Sequence, residues 1–152
     1  LDRGDQAVNA MRELRAAAPN EAEVHRVLGD VLHRTGRLAE AEESYRRAIE
    51  LNPRDARAHY SLGLTLRDQG NVDASITRFK TAVQIDPSLH TAWLALARIH
   101  AERGEVEQGL ACLEPMLRAG TLTREQARAD PTLEPLTQDP QFEELGRPSE
   151  AP

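Results

Sequence analysis

Residues 25–32 read HRVLGDVL, and residues 59–66, which begin 34 positions later, read HYSLGLTL. Other residues recur at the same offset further along the two segments. They are Gly36 and Gly70, Ala48 and Ala82, and Pro53 and Pro87. Repetition at this length is typical of a stacked array in which each unit packs against its neighbours.

In the first copy, apolar residues recur every three or four positions, which indicates two amphipathic helices. The first run consists of Val24, Val27, Leu28, Val31 and Leu32, and the second of Leu38, Ala41, Tyr45, Ala48 and Ile49. Gly36 separates the two runs, and Pro53 predicts that the second helix ends near Leu51. Asn20 and Glu23 have the spacing of a capping box at the start of the first helix. Each copy is therefore predicted to be a helix, a turn and an antiparallel helix.

These residues resemble the tetratricopeptide repeat, whose 34-residue pattern is W-x2-L-G-x2-Y, then A-x3-F, then P. The first copy matches with His25, Leu28, Gly29, Leu32, Ala41, Tyr45 and Pro53, and the second with His59, Leu62, Gly63, Leu66, Ser75, Phe79 and Pro87. The third copy keeps Trp93 and Leu96, and it departs from the pattern at Ala97, His100, Gly109 and Thr121. The resemblance implies an all-α fold, a right-handed α-solenoid of antiparallel helix pairs whose first helices line a concave face.

The resemblance also implies how the chain is organised. The predicted segments are a partial repeat (second helix only) at 1–19, three units within 22–120 (22–55, 56–89 and 90–120), a capping helical extension at 121–146 and a disordered tail at 147–152. In the partial repeat, Ala7, Met11 and Leu14 are predicted to form the buried side. The array therefore amounts to about three and a half repeats.

The predicted extension has its own start signals. Thr123 and Gln126 have capping-box spacing, and the pairs at 130–131 and 139–140 are Asp-Pro, which is typical of a helix start. The apolar sides of the short helices are predicted to be Leu133, Leu136, Phe142 and Leu145. Two interpretations stay open: the extension covers the end of the array, or its acidic residues occupy a groove.

Composition and charge exclude several classes of function. The net charge of −6 argues against nucleic-acid binding, and no apolar run is long enough to predict a membrane span. Cys112 is the only cysteine, so no internal disulfide is expected and the compartment is left open, with a slight preference for the cytoplasm. Lys80 is the only lysine, and this bias towards arginine favours a bacterial source.

No catalytic or cofactor motif is present: the chain lacks a glycine-rich phosphate loop, H-E-x-x-H, paired cysteines and a nucleophile elbow. The prediction is therefore a protein that is not an enzyme and that has no cofactor and no metal site. His25 and His59 lie one repeat apart, at roughly 10 Å between packed helix axes, which is too far to share a zinc ion easily. They and His100 are predicted to pack between helices, and Cys112 to be a small buried side chain.

By the family resemblance, the exposed side of the first helices forms the peptide-binding groove. The predicted groove residues are Arg26, Asp30, His33, Arg34, Arg57, Tyr60, Leu64, Arg67 and Arg98. Guanidinium groups grip carboxylates with two hydrogen bonds, so these arginines indicate an acidic partner. The carboxylate clamp that holds chaperone tails is not predicted. Of its matching positions, Arg26, Asp30, Ser61, Thr91 and Ala95, only the first carries the expected charge.

The preferred function is a non-catalytic scaffold for protein–protein interaction that binds a peptide or helix segment of a partner protein in its concave groove. One alternative is a structural module that self-associates into a homo-oligomer through the first helix and the apolar extension. Another is a substrate-recruiting appendage of a larger enzyme.

Overall fold

The computed structural model describes residues 3–146, and all regular structure in that range is helical. The helices are α1 (Arg3–Ala17), α2 (Ala22–Arg34), α3 (Leu38–Leu51), α4 (Ala56–Asp68), α5 (Val72–Ile85), α6 (His90–Glu102), α7 (Val106–Arg118), α8 (Arg124–Ala129) and α9 (Glu134–Thr137), with 3-10 turns at Pro131–Leu133 and Pro140–Glu143. The chain divides after Pro87 into two compact units, called unit 1 and unit 2. The predicted disordered tail lies outside the described residues.

Unit 1 contains two helix pairs, α2 with α3 and α4 with α5. Helix α1 packs on α2, and α3 packs on α4, so each pair contacts the next. One apolar cluster of buried residues consists of Val8, Leu28, Val31, Leu32, Ala41, Tyr45, Leu62 and Leu66. Seven of these eight residues come from the two apolar runs of the first copy or from their 34-residue counterparts, so the sequence repeat builds this core.

Gly36 and Gly70 close the two hairpins of unit 1 with left-handed backbone angles, φ of 75° and 85°. Each glycine follows the last helical turn, and the next residue donates its backbone N–H to a carbonyl three residues from the helix end. The bonds run from Arg37 to Leu32 at 2.9 Å and from Asn71 to Leu66 at 2.8 Å. This is the Schellman arrangement, which glycine favours because it has no Cβ. Glycine at these positions therefore ends each first helix where the pattern predicts.

Helix α1 packs through a different face from the predicted one. Val8 is fully buried and Met11 is half-buried, whereas Ala7 is exposed and Leu14 is 48% exposed. Val8 and Met11 are three residues apart, so they lie together on the face that meets α2. The prediction that Ala7 and Leu14 are buried was wrong because this face is rotated by about one position.

The ends of α2 and α3 test two further predictions. Helix α3 ends at Leu51, two residues before Pro53, as predicted. The capping box at Asn20 was wrong: α2 begins at Ala22, the N-cap residue is Glu21, and no side chain caps the helix. Asn20 lies one residue outside the N-cap position, so its side chain is not the one placed to accept from the first free backbone N–H groups.

Unit 2 contains the pair α6 and α7, followed by the short helices of the extension. The first 3-10 turn packs on α6, and α9 packs on both α6 and α7. Leu133, Leu136 and Phe142 are fully buried and Leu145 is half-buried, which confirms the predicted apolar sides. The Leu136 methyl groups lie directly over Gly109, where an added Cβ would come within 2.6 Å. Among residues 3–146, no helix combines the length and the hydropathy required to cross a bilayer.

Candidate interaction surfaces

A cleft of about 390 Å³ opens in unit 1 and is called the unit 1 cleft. Its lining comes from α2, α3 and α4 and consists of Val27, Asp30, Val31, His33, Arg34, Tyr45, Ser61 and Leu64. The 34-residue offset places Ser61 and Leu64 at the positions of Val27 and Asp30, so matching turns of α2 and α4 line the same cleft. The cleft therefore forms where equivalent repeat positions on neighbouring first helices come together.

Asp30 is a carboxylate with both oxygens engaged inside unit 1. The Tyr45 hydroxyl donates to Oδ1 at 2.8 Å, and the Arg26 guanidinium donates to Oδ2 at 3.1 Å. The Ser61 hydroxyl makes a longer contact of 3.4 Å with Oδ1. Burial, followed by the Asp30 carboxylate, raises the pKa of Tyr45, so its hydroxyl remains a donor throughout the ordinary pH range. Asp30 thus ties α2 to α3 and α4.

Arg26 is committed to carboxylates of its own chain. It pairs with Glu23 and Asp30 on α2 and lies 3.7 Å from Asp55, the N-cap residue of α4. Its side chain is only 15% exposed. Burial acts to lower the pKa of Arg26, but the hydrogen bond and charge of Glu23 and the other carboxylates outweigh it and raise the pKa. Arg26 therefore stabilises the junction between the two helix pairs.

The remaining predicted residues of unit 1 fall into two groups. His33 and Arg34 line the cleft, and the His33 Nε2 atom lies 3.0 Å from Asp68 Oδ2, which joins α2 to α4. Arg67 pairs with the same Asp68 at 3.2 Å. Arg34 is exposed, and it forms no ion pair among residues 4–146.

The cleft lining does not include four predicted residues of unit 1: Arg26, Arg57, Tyr60 and Arg67. The Tyr60 ring packs at 5.7 Å from the Phe79 ring, centroid to centroid, with a tilt of 46°. Arg57 is exposed near the start of α4. Of the predicted groove residues, Asp30, His33, Arg34 and Leu64 lie on the cleft lining. The lining also contains Val27, Val31, Tyr45 and Ser61, which are not among the predicted groove residues. Val27 and Ser61 occupy the same position in successive repeats, and this shared position could have indicated that both line the cleft. Tyr45 reaches the cleft from α3, and no repeat position on the first helices indicates it.

The ninth predicted residue, Arg98, belongs to unit 2 and lines a different surface. A groove of about 450 Å³ lies between α6 and the extension and is called the unit 2 groove. It is lined by Leu94, Arg98, Leu122, Gln126, Ala129, Asp130, Pro131 and Leu133. The Arg98 guanidinium bonds to Asp130 Oδ2 through Nε at 2.8 Å and Nη2 at 2.7 Å. Arg98 is thus already held by a carboxylate of the extension.

Comparison with known proteins identifies the repeat. A TPR repeat model matches residues 29–66, and a tetratricopeptide repeat model matches residues 66–129. The chain belongs to the tetratricopeptide repeat family. No curated protein gives a significant match.

Solved structures of MamA share the tetratricopeptide fold with this chain. One crystal structure of MamA is 22% identical, with a TM-score of 0.71 over 78% of this chain and 72% of that one. A second is 20% identical, with a TM-score of 0.75 over 94% of this chain and 75% of that one. The structure named MamA MSR-1 C2 is 23% identical, with a TM-score of 0.66 over 78% and 68%. These likenesses confirm the predicted all-α, α-solenoid fold class.

The tetratricopeptide pattern also explains the buried histidines. His25 and His59 stand where the family has tryptophan, and each bonds through Nε2 to the carbonyl of a proline six residues earlier. The distances are 2.8 Å to Pro19 and 3.1 Å to Pro53. All three predicted packing histidines are buried, including His100. Within residues 3–146, no group of three histidine, cysteine or acidic side chains is arranged to hold a metal ion.

Proposed function

We propose that this chain is a non-catalytic scaffold for protein–protein interaction that holds a short segment of a partner in the unit 1 cleft. Membership of the tetratricopeptide repeat family supports an interaction scaffold in general. The observation that carries the finer proposal is the cleft itself, whose apolar wall atoms are accompanied by a small number of fixed polar groups. That combination is typical of sites that bind a side chain in a defined orientation.

The lining indicates what kind of segment fits. Val27, Val31 and Leu64 offer an apolar surface for one aliphatic or aromatic side chain of the partner. Asp30 already accepts bonds on both oxygens, so it contributes a fixed charge that Arg26 balances. Arg34 lines the cleft and forms no ion pair within the part of the chain that the structure describes, so a partner carboxylate beside the apolar side chain is its natural ligand.

The ion pairs within the chain reduce the number of arginines that can bind an acidic partner. Arg26, Arg67 and Arg98 each hold a carboxylate of the same chain, so a partner would have to displace that carboxylate to use them. Arg34 and Arg57 remain as the arginines of the predicted set for an acidic segment. A substrate-recruiting role within a larger enzyme stays a prediction.

The proposal is tested by selecting peptides from a random displayed library on the wild-type chain and measuring their affinity by calorimetry. A groove of this kind is expected to bind in the micromolar range, about −8 kcal/mol. Leu64→Gln should weaken binding by about 1–2 kcal/mol because it places a polar group on the apolar wall. Arg34→Gln should weaken binding of carboxylate-containing peptides by about 1 kcal/mol.

Lys80→Gln on the exposed surface of α5 serves as the matched control, because it changes one exposed charge outside the cleft. Equal affinity of the selected peptides for wild type, Leu64→Gln and Arg34→Gln would place the binding site elsewhere. Loss of binding in Lys80→Gln would have the same meaning.

A further inference from the structure

We propose that the unit 2 groove is a second docking site, that it takes a short apolar segment flanked by basic residues, and that Asp130 sets this charge preference. The site goes beyond the unit 1 cleft, since every lining residue belongs to unit 2.

The groove offers an apolar floor. Leu94 on α6 and Leu122 before α8 are both half-buried, and Ala129 and Pro131 are exposed along the extension. Gln126 uses its side-chain oxygen to accept from the Thr123 backbone, which leaves its amide N–H groups as donors. A volume of about 450 Å³ accommodates more than one aliphatic side chain.

Asp130 removes the positive charge that the groove would otherwise present. It takes two hydrogen bonds from Arg98, and it also accepts from the backbone and the hydroxyl of Thr132 as the N-cap of the first 3-10 turn. Burial acts to raise the pKa of Asp130, but its bonds to Thr132 and Arg98 outweigh burial and hold the pKa below its usual value. The carboxylate is therefore charged at neutral pH, and the Arg98–Asp130 pair is neutral as a whole.

Three glutamates lie close in the chain to residues of this groove, and Arg128 beside them is paired with Glu143. Glu102 follows Arg98 by four residues on α6, which places it on the same helix face. Glu125 and Glu134 adjoin the lining residues Gln126 and Leu133 in the chain, and all three glutamates are exposed.

The charge of the whole unit has the same sign. Residues 88–146 carry five arginines, no lysine and ten acidic side chains, whereas residues 3–87 carry thirteen basic and thirteen acidic side chains. Nearly all of the net charge of −6 therefore resides in unit 2.

Charge complementarity selects the occupant. An apolar side chain enters between Leu94 and Leu122, while lysine or arginine on either side of it is attracted by the excess of acidic side chains in unit 2. An acidic segment would meet like charges there and would find Arg98 already paired. Exposed charges act mainly through long-range attraction, so binding of the basic segment should weaken as salt is added.

The test uses two synthetic peptides with the same leucine- and alanine-rich centre, one flanked by lysines and the other by glutamates. Their affinities for the full chain are measured by fluorescence anisotropy at low and physiological ionic strength. The lysine peptide should bind about tenfold more tightly, because a few exposed charge pairs each contribute a fraction of a kcal/mol. Leu94→Gln and, separately, Leu122→Gln should abolish binding, whereas Leu64→Gln in unit 1 should leave it unchanged.

Asp130→Asn isolates the charge, since asparagine caps a helix start as well as aspartate does. In that variant Arg98 loses its partner carboxylate, so the preference for the lysine peptide should shrink to about threefold or less. Three results would overturn the proposal: equal binding of both peptides to the wild type, an unchanged preference in Asp130→Asn, or lysine-peptide binding that survives both leucine substitutions. The last result would indicate diffuse attraction to an acidic surface.

Discussion

Two aromatic rings lie directly on helical glycines in unit 1. A Cβ added to Gly29 would come within 2.6 Å of the Tyr45 ring, and one added to Gly63 would come equally close to the Phe79 ring. The first contact joins α2 to α3, and the second joins α4 to α5 at positions 34 residues later. At these positions the repeat requires glycine because the neighbouring ring fills the space of a side chain.

Gly63→Ala should therefore destabilise the protein, although alanine favours helix by about 1 kcal/mol. The overlap with Phe79 forces the ring to move, and overpacking of this kind costs about 1–3 kcal/mol. Chemical denaturation gives the change in the free energy of unfolding. In a Phe79→Leu background the same substitution should cost less, because leucine leaves room for the methyl group. Equal costs in both backgrounds would show that the ring does not oppose the substitution.

The other residue-scale feature is the buried imidazole of His59. Its Nε2 atom bonds to the Pro53 carbonyl, whereas Nδ1 is buried without a partner among the described residues. Burial lowers the pKa of His59 and outweighs the Pro53 carbonyl, which raises it, and Arg78 lowers the pKa further. The folded chain therefore favours the neutral ring more strongly than the unfolded chain does.

The sign of the pH dependence follows from this lowered pKa. Above the unfolded pKa near 6.5, His59 is neutral in both states and its stabilising contribution is complete. As the pH falls below that value, the unfolded chain takes up the proton first, so the free energy of unfolding decreases until the folded pKa is passed. His59→Trp, which restores the family residue, should reduce the loss of stability between about pH 7.5 and about pH 5.5. An identical loss in the variant would assign the effect to other groups.

At the scale of elements, the extension begins with a complete capping box. The Thr123 hydroxyl accepts from the Gln126 backbone at 3.1 Å, and the Gln126 side chain accepts from the Thr123 backbone at 2.8 Å. Helix α8 has only six residues, so it depends on such bonds at its start more than a long helix does. The box therefore fixes where the extension turns back onto α6 and α7.

Thr123→Ala should lower the free energy of unfolding of unit 2 by about 1 kcal/mol, because one backbone N–H loses its acceptor. Trp93 is the only tryptophan and lies on α6, so its fluorescence during denaturation monitors this unit. Thr123→Ser retains the hydroxyl and should remain close to wild type. Equal destabilisation by alanine and serine would point to the threonine methyl group instead of the cap.

At the scale of the whole chain, the extension is part of the core of unit 2. Leu133, Leu136 and Phe142 have no exposed surface, because they pack within the unit that contains α6 and α7. They are therefore not available for contacts with another copy of the chain. The self-association alternative therefore loses the extension as a contact surface, and self-association through the first helix stays a prediction.

Truncation after Gly120 should unfold or strongly destabilise unit 2. Each large buried apolar side chain contributes about 1.5–3 kcal/mol, and the truncation removes at least three of them. Trp93 fluorescence and a thermal melt should show an early transition for this variant. Truncation after Gly146 is the control, because it leaves every described contact in place. A shortened chain that melts like the wild type would contradict the assigned role of the extension.

Much of this structure could be predicted from local sequence. The helix periodicity, the turn glycines and Pro53 each act within a few residues, so the helix pairs and the end of α3 followed from the pattern. The 34-residue repeat then brought Asp30 and Leu64 to one cleft, because equal spacing along the chain produces equal positions on neighbouring helices. The capping box at Thr123 was predicted for the same reason.

Only the tertiary structure decided which charged groups are available to a partner. Arg26 meets Asp55 of the next helix pair, and Arg98 meets Asp130, 32 residues away in the extension. A long arginine side chain can reach several carboxylates on other elements, and the periodicity of the sequence does not determine which of them it pairs with. The sequence therefore determined where the arginines lie on their helices, and packing determined which of them are already neutralised.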